Sequence, residues 1–118
     1  MSSNEPFYEY DSNGRLIHYR DINNDLEYWS EYDANGNVIY YKDIRGWEYW
    51  KEYDSDGNCI YYRSNRGFER YMGYDSNGHM IYYKNIDGLE RWYWEGKETK
   101  DPVKILLLSS QLHSKVPQ

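Results

Sequence analysis

The residues of this chain that could do bond-breaking chemistry are few: one cysteine, Cys59, and three histidines, His18, His79 and His113. Nucleophilic catalysis needs a serine or cysteine beside a base that a third group orients. His18 and His79 fall where other parts of the chain carry Tyr40 and Asn58, which reads both as surface residues. Cys59 stands where related segments have Val38 and Met80, the place of a small apolar filler rather than a reactive thiol. No His/Cys cluster has zinc spacing. Glu9-x-Asp11-x-Asn13-Gly14, Glu31-x-Asp33-x-Asn35-Gly36 and Glu52-x-Asp54-x-Asp56-Gly57 imitate the start of a calcium loop. The twelfth position, which should bring a bidentate glutamate, holds Arg20, Lys42 and Arg63, so these segments read as turns. Glu27, Glu48, Glu69 and Glu90 could supply an acid/base pair for glycoside chemistry. They recur periodically, however, whereas a catalytic site is a singular departure from symmetry, and no such departure is found. The expectation is a chain that is not an enzyme and needs no cofactor.

Acids and aromatics dominate the remainder. Across 118 residues, 14 basic and 20 acidic side chains leave a net charge of −6. A pI near 5.0 argues against nucleic acid as a partner, because phosphate backbones need clustered Lys and Arg. Leu, Ile, Val and Phe together contribute only 20 residues, which approaches the composition of disordered chains. Sixteen tyrosines and five tryptophans offset that shortage, since they can bury area that an aliphatic count misses. A folded chain with a thin core is expected. The longest apolar run, Ile105 to Leu108, is too short to span a bilayer, and the start MSSNEPFYEY has neither a basic nor an apolar signal region. A cytoplasmic protein without membrane association is therefore expected.

The aromatics are placed by a repeat. Tyr10-Asp11-Ser12-Asn13-Gly14, Tyr32-Asp33-Ala34-Asn35-Gly36, Tyr53-Asp54-Ser55-Asp56-Gly57 and Tyr74-Asp75-Ser76-Asn77-Gly78 start 22, 21 and 21 residues apart. Each is followed by an isoleucine (17, 39, 60, 81), then a tyrosine (19, 41, 62, 83) and a basic residue. A second punctuation follows at Gly46, Gly67 and Gly88, replaced in the first unit by Asn24-Asp25. Two turn signals per unit, separated by aromatic and β-branched runs, predict two strands per unit and disfavour helix. The fold expected is all-β: about four antiparallel β-hairpin repeats of 21 residues forming a single-layer or solenoidal sheet.

Asp-x-Asn-Gly suits a type I turn closed by a left-handed glycine with a bulge, the aspartate bonding amides of its own turn. An uninterrupted register from that turn places Tyr32 opposite Val38, Glu31 opposite Ile39 and Trp29 opposite Tyr41. Period-2 alternation then collects Trp29, Trp50, Tyr71 and Trp92 with the isoleucines and Tyr41, Tyr62 and Tyr83 on a packed face. The other face receives Leu26, Trp47, Phe68 and Leu89 with Tyr28, Tyr49, Arg70, Arg91, Lys42, Arg63 and Lys84. The ends are a tail over 1–6, the repeat domain over 7–96, and a cap or tail over 97–118. In the last, Asp101-Pro102 is a plausible helix start.

The spacing YDxxGxxIYY, about seven residues, then Gly and YWxxYD resembles the YD repeats of the Rhs family, with YDSNGRLI at Tyr10 to Ile17 the nearest match. The aromatic, glycine-punctuated period is also similar to MORN-type hairpin repeats and to wall-binding and choline-binding repeats of bacterial and phage proteins. The resemblance covers roughly residues 7 to 94. It implies hairpin units used as a scaffold or binding surface; four units cannot close the β-shells that large members build from dozens.

The function expected is binding to another protein through the aromatic and basic residues Tyr28, Trp47, Tyr49, Phe68, Arg70 and Arg91, types that anchor interfaces. An acidic inhibitor of a host defence protein, made by a phage or mobile element, is its sharper form. A carbohydrate-binding module and a piece that self-associates through its sheet edges are the alternatives.

Overall fold

The computed structural model describes residues 5–113. Residues 1–4 of the expected N-terminal tail and 114–118 of the C-terminal segment lie outside the described residues. The chain forms β1 (Phe7–Tyr10), β2 (Leu16–Asp21), β3 (Leu26–Tyr32), β4 (Val38–Asp43), β5 (Glu48–Tyr53), β6 (Cys59–Ser64), β7 (Glu69–Tyr74), β8 (Met80–Asn85), β9 (Glu90–Trp94), β10 (Lys97–Thr99) and α1 (Pro102–His113). The strands hydrogen bond in chain order in one open antiparallel sheet, so the expected all-β class holds. Residues from 97 onward hold both a strand and a helix. Asp101 caps the helix, its Oδ1 accepting from the Val103 amide at 2.9 Å, with Pro102 first in the helix. No helix among the described residues is long and apolar enough to cross a membrane. Two compact units divide the chain: Met1–Trp50 with Ser64–Arg66, and Lys51–Arg63 with Gly67–Gln118.

One turn chemistry recurs throughout. Asp33 Oδ1 accepts from the amides of Asn35 at 2.9 Å and Asn37 at 3.0 Å, while the Gly36 amide donates to the Asp33 carbonyl at 3.1 Å. Gly36 has φ 88°, a conformation glycine adopts without strain. Asp11, Asp54 and Asp75 bond their own turns in the same way. Asp43 and Asn85 repeat it in the second turns, holding the amides of Arg45 and Trp47 and of Asp87 and Leu89. In the first unit's second turn Asp25, φ 51°, stands in for glycine. The second turns are thus more than glycine punctuation: an acceptor residue precedes each of Gly46, Gly67 and Gly88 by three positions.

The register corrects the expected faces. Tyr32 does pair with Val38, but Glu31 pairs with Tyr40, Ser30 with Tyr41 and Trp29 with Lys42. The same shift falls between Glu9 and Tyr10 and between Gly73 and Tyr74. Each bulge leaves one residue, Ile17, Ile39 or Ile81, without a partner, and a one-residue slip moves every side chain beyond it to the other face. Consequently Trp29, Trp50, Tyr71 and Trp92 do not share a face with Tyr41, Tyr62 and Tyr83. They face with His18, Tyr40, Tyr61 and Tyr82, together with Lys42, Arg63 and Lys84, as the pairs His18–Trp29, Tyr40–Trp50, Tyr61–Tyr71, Tyr82–Trp92, Trp29–Lys42, Arg63–Glu69 and Tyr71–Lys84 record. This is the tryptophan side; Tyr19, Tyr28, Tyr41, Tyr49, Tyr62, Arg70, Tyr83 and Arg91 form the tyrosine side.

Burial is thin. Among the described residues the buried apolar side chains are Ile81 and Leu108. Leu108 belongs to α1, which lies on the tryptophan side of the second unit. There the Lys104 ammonium sits 5.6 Å from the Trp94 ring centre, and Leu112 occupies the space over Gly73. A Cβ on Gly73 would come within 2.3 Å of a Leu112 methyl. Glu9, Glu31 and Glu52 hold the corresponding place in the other units, so glycine here is a notch for the helix.

Gly73→Glu, the residue of the other units, should therefore expel Leu112. Amide exchange across Ile105–Leu112 should accelerate while β7 to β9 stay protected; unchanged helix protection would contradict this seating. Asp33→Ala should lower stability by about 1–2 kcal/mol, since two amides lose their acceptor. Partial burial of Asp33 and Asp75 opposes ionisation. The amides of Asn37 and Asn35, with Arg15, and of His79 and Asn77 outweigh it and hold both carboxyls below the usual range. Their contribution is present above the unfolded pKa of 3.8 and lost as pH falls through the lower folded values. Urea midpoints measured across that window should fall less steeply in Asp33→Asn than in the parent.

Candidate aromatic binding surface

On the tyrosine side of the first unit the rings form a row from strand to strand. Tyr8 meets Tyr19 edge-on at 5.1 Å, Tyr19 meets Tyr28 at 5.3 Å, Tyr28 stacks on Tyr41 at 5.7 Å, and Tyr41 on Tyr49 at 5.0 Å. Cross-strand pairing dictates this, because Tyr19, Tyr28, Tyr41 and Tyr49 occupy directly opposed or adjacent register positions. The Tyr19 and Tyr41 hydroxyls donate to Asp21 and Asp43 at 3.2 and 3.0 Å. Trp47, two residues before Tyr49, lies under the Arg66 guanidinium at 4.6 Å. Tyr28, Trp47 and Tyr49 are thus brought together in the first unit.

Phe68, Arg70 and Arg91 belong to the second. Phe68 is 58% exposed at the entry to β7. Arg70 lies over the Tyr62 ring at 5.1 Å, and Arg91 opposes Tyr83 while its guanidinium bonds Glu98 at 2.7 Å. Where the first unit stacks tyrosine on tyrosine, the second places a guanidinium on the ring.

The tryptophan side carries a different repeated contact, made by the glutamates that lie opposite Arg20, Lys42, Arg63 and Lys84 in the register. Tyr61 donates to Glu69 at 2.7 Å, Tyr82 to Glu90 at 2.8 Å, and Tyr40 to Glu48. In the remaining unit His18 takes the tyrosine's place, its Nε2 2.6 Å from Glu27. His18 is not the surface residue expected: its side chain is 18% exposed, stacked on Trp29 at 4.8 Å, tilted against Phe7 at 5.2 Å, and flanked by Glu9. His79, by contrast, is 79% exposed beside Asp75. The signal for the pairing was the fixed spacing of eight or nine residues from each of His18, Tyr40, Tyr61 and Tyr82 to the next glutamate.

Burial and these hydrogen bonds hold the tyrosine hydroxyls in their protonated form. The hydrogen bond to Glu48, then burial, pushes Tyr40 up to about 12; burial and then Glu69, Glu90 and Asp43 do the same for Tyr61, Tyr82 and Tyr41. Burial raises the Cys59 thiol, whose Sγ lies 3.2 Å from the Tyr61 carbonyl, so it is held as a thiol. Among the described residues no group of three His, Cys, Asp or Glu could hold a metal ion. The turn aspartates that imitate calcium ligands instead accept from their own backbone amides. No protein-family model matches the chain, and comparison with the curated proteins finds no match either.

Because four tyrosines are held protonated up to about 12 against an unfolded value of 10.0, their contribution to stability is full below pH 10 and is lost as pH rises towards 12. Tyrosinate absorbance for these residues should therefore appear together with loss of the sheet's circular dichroism. Ionisation of all sixteen tyrosines near pH 10 with the sheet intact would refute the assignment.

Proposed function

We propose that this chain is a non-catalytic binding protein, about four hairpin repeats in a single-layer or solenoidal sheet, that acts by docking another protein on its tyrosine side. The carrying observation is the ring row through Tyr19, Tyr28, Tyr41 and Tyr49 in the first unit. Its rings turn their faces largely towards one another, and the Tyr19 and Tyr41 hydroxyls are held by Asp21 and Asp43, which leaves ring edges for a partner. Edges suit a protein partner; a pyranose stacks on an open ring face, and here those faces are occupied. Exposed Phe68, Arg70 and Arg91 in the second unit add the residue types that anchor protein interfaces. A net charge of −6 favours a basic partner, which supports the sharper form of the reading: an acidic inhibitor, of phage or mobile-element origin, of a cytoplasmic host defence protein.

The immobilised chain should retain a stoichiometric basic protein from bacterial lysate. Tyr28→Ala with Tyr49→Ala, and separately Arg70→Glu with Arg91→Glu, should each weaken that capture about tenfold or more while circular dichroism is unchanged. Recovery of no stoichiometric partner, or sedimentation with peptidoglycan that these variants abolish, would overturn the reading in favour of none or of the carbohydrate alternative.

A further inference from the structure

We propose that the open sheet edge at β1 docks a second copy of this chain, β1 pairing antiparallel with the second copy's β1 so that Tyr8 stands opposite Tyr8 and Glu9 reaches Arg20 across the join. This edge is apart from Tyr28 and Tyr49, and the inference stands without the docking role proposed for them.

The two outer strands of the sheet differ. β10 has three residues, begins with Lys97, bonds its Glu98 to Arg91, and gives way to α1 after two residues. Shortness, charge and a following element are the usual guards of a sheet edge. β1 is exposed at all four positions and contains neither lysine nor proline; the bulge opposite it falls on Ile17 of β2. Among the described residues no strand pairs with its outer side. The Asp11 amide donates to the Arg15 carbonyl at 2.9 Å, towards β2. Alternation along the strand then aims Phe7 and Glu9 backbone groups at β2 and those of Tyr8 and Tyr10 away from it. About a two-fold axis, the outward amide and carbonyl of Tyr8 meet the same groups of the second copy's Tyr8, and the Tyr10 amide meets the second copy's Pro6 carbonyl.

Side chains select that register. Tyr8 is 51% exposed and ends the ring row, with Tyr19 edge-on at 5.1 Å on its inner side and Tyr10 stacked at 6.4 Å along the strand. A second Tyr8 continues the row, because directly opposed residues share a side of the sheet. On the tryptophan side Arg20 is exposed, opposite Phe7 in the register, with its guanidinium 5.6 Å over that ring. Glu9, whose side chain is 54% exposed, then faces the second copy's Phe7 and the guanidinium above it. Two strand spacings, roughly 10 Å, separate the backbones of Glu9 and that arginine, and the two long side chains bridge the gap from either end. Symmetry makes the pair twice. The next register, Tyr8 opposite Tyr10, would set Glu9 against Glu9, two like charges. With β10 guarded, the contact closes as a dimer instead of growing. Four residues per copy bury less than the about 800 Å² of a standard partner surface, so the dimer dissociates on dilution.

Sedimentation velocity of the full chain from micromolar to millimolar concentration should show a monomer–dimer equilibrium. Glu9→Arg and Arg20→Glu should each weaken it about tenfold or more. An equimolar mixture of those two variants should restore it, since each offers the other the missing sign. Tyr8→Pro, which removes an amide facing away from β2, should abolish dimerisation with the circular dichroism of the sheet unchanged. Tyr28→Ala with Tyr49→Ala should leave the dimer intact, which separates this edge from the surface proposed above. A chain that stays monomeric throughout, charge variants that dimerise like the parent, a mixture no tighter than its components, or growth past the dimer would each overturn the proposal. So would a dimer lost on Leu106→Glu, a side chain 70% exposed on α1, because that would assign the contact to the helix.

Discussion

The carboxylate of a turn aspartate, held by the amides two and four residues later, governs most of what lies beyond it. With Asp33 bonded to Asn35 and Asn37 and Gly36 in the left-handed region, the chain reverses over a fixed length and the pair Tyr32–Val38 closes. The bulge one step further on leaves Ile39 without a cross-strand partner and displaces every later pair by one residue. That displacement decides which rings meet. Without it Trp29 would oppose Tyr41; with it Tyr28 stacks on Tyr41, and Lys42 lies 6.0 Å over Trp29. A local hydrogen-bonding choice is thereby converted into two chemically distinct sides.

Because almost no apolar side chain is fully buried, stability has to come from contacts between neighbours in the sheet rather than from a central core. Such contacts are individually small, of the order of 0.2–1 kcal/mol per cross-strand pair, and they suffice here because they recur. The tyrosine to glutamate bonds at 61–69 and 82–90 span the second turns of successive repeats. Between strands more distant in sequence, further bonds stitch one turn to the next. Arg15 reaches the Asp33 carbonyl at 3.0 Å, Tyr32 the Leu16 carbonyl at 2.7 Å, and Asn65 the Gly46 carbonyl at 2.6 Å. Each joins a hairpin to its neighbour, so registry is transmitted by polar contacts where an ordinary domain would transmit it by packing.

Strands, turns and the start of α1 were legible because their signals are local: Asp-x-Asn-Gly, the alternating aromatics, and Asp101-Pro102. The faces were not, because parity depends on a single extra residue, and Ile39 looks the same in a string whether it is paired or bulged. His18 was misread for a related reason. As a substitution for Tyr40 it appears to be a tolerated variation, but the repeat position it inherits is wedged between rings and opposite a glutamate. Gly73 carried a legible signal that only the helix explains: the sole non-glutamate in the series Glu9, Glu31, Glu52, Gly73.

That last series shows where individuality can enter a repeat. Positions that every unit fills alike, the aspartates and glycines of the first turns and the isoleucines, are accounted for by the backbone they must build. Positions that differ are free of that duty, and their differences follow the contacts available to each unit. Glycine replaces glutamate where Leu112 comes down on the sheet. Arginine replaces tyrosine at 70 and 91, where a cation over Tyr62 in one case and a bond to Glu98 in the other take over from ring stacking. In the proposed binding role, selectivity has to reside in these exchanges, since the shared positions present the same surface in every unit. On the tryptophan side the exchange turns a carboxylate position into an apolar notch, which Leu112 fills in the second unit.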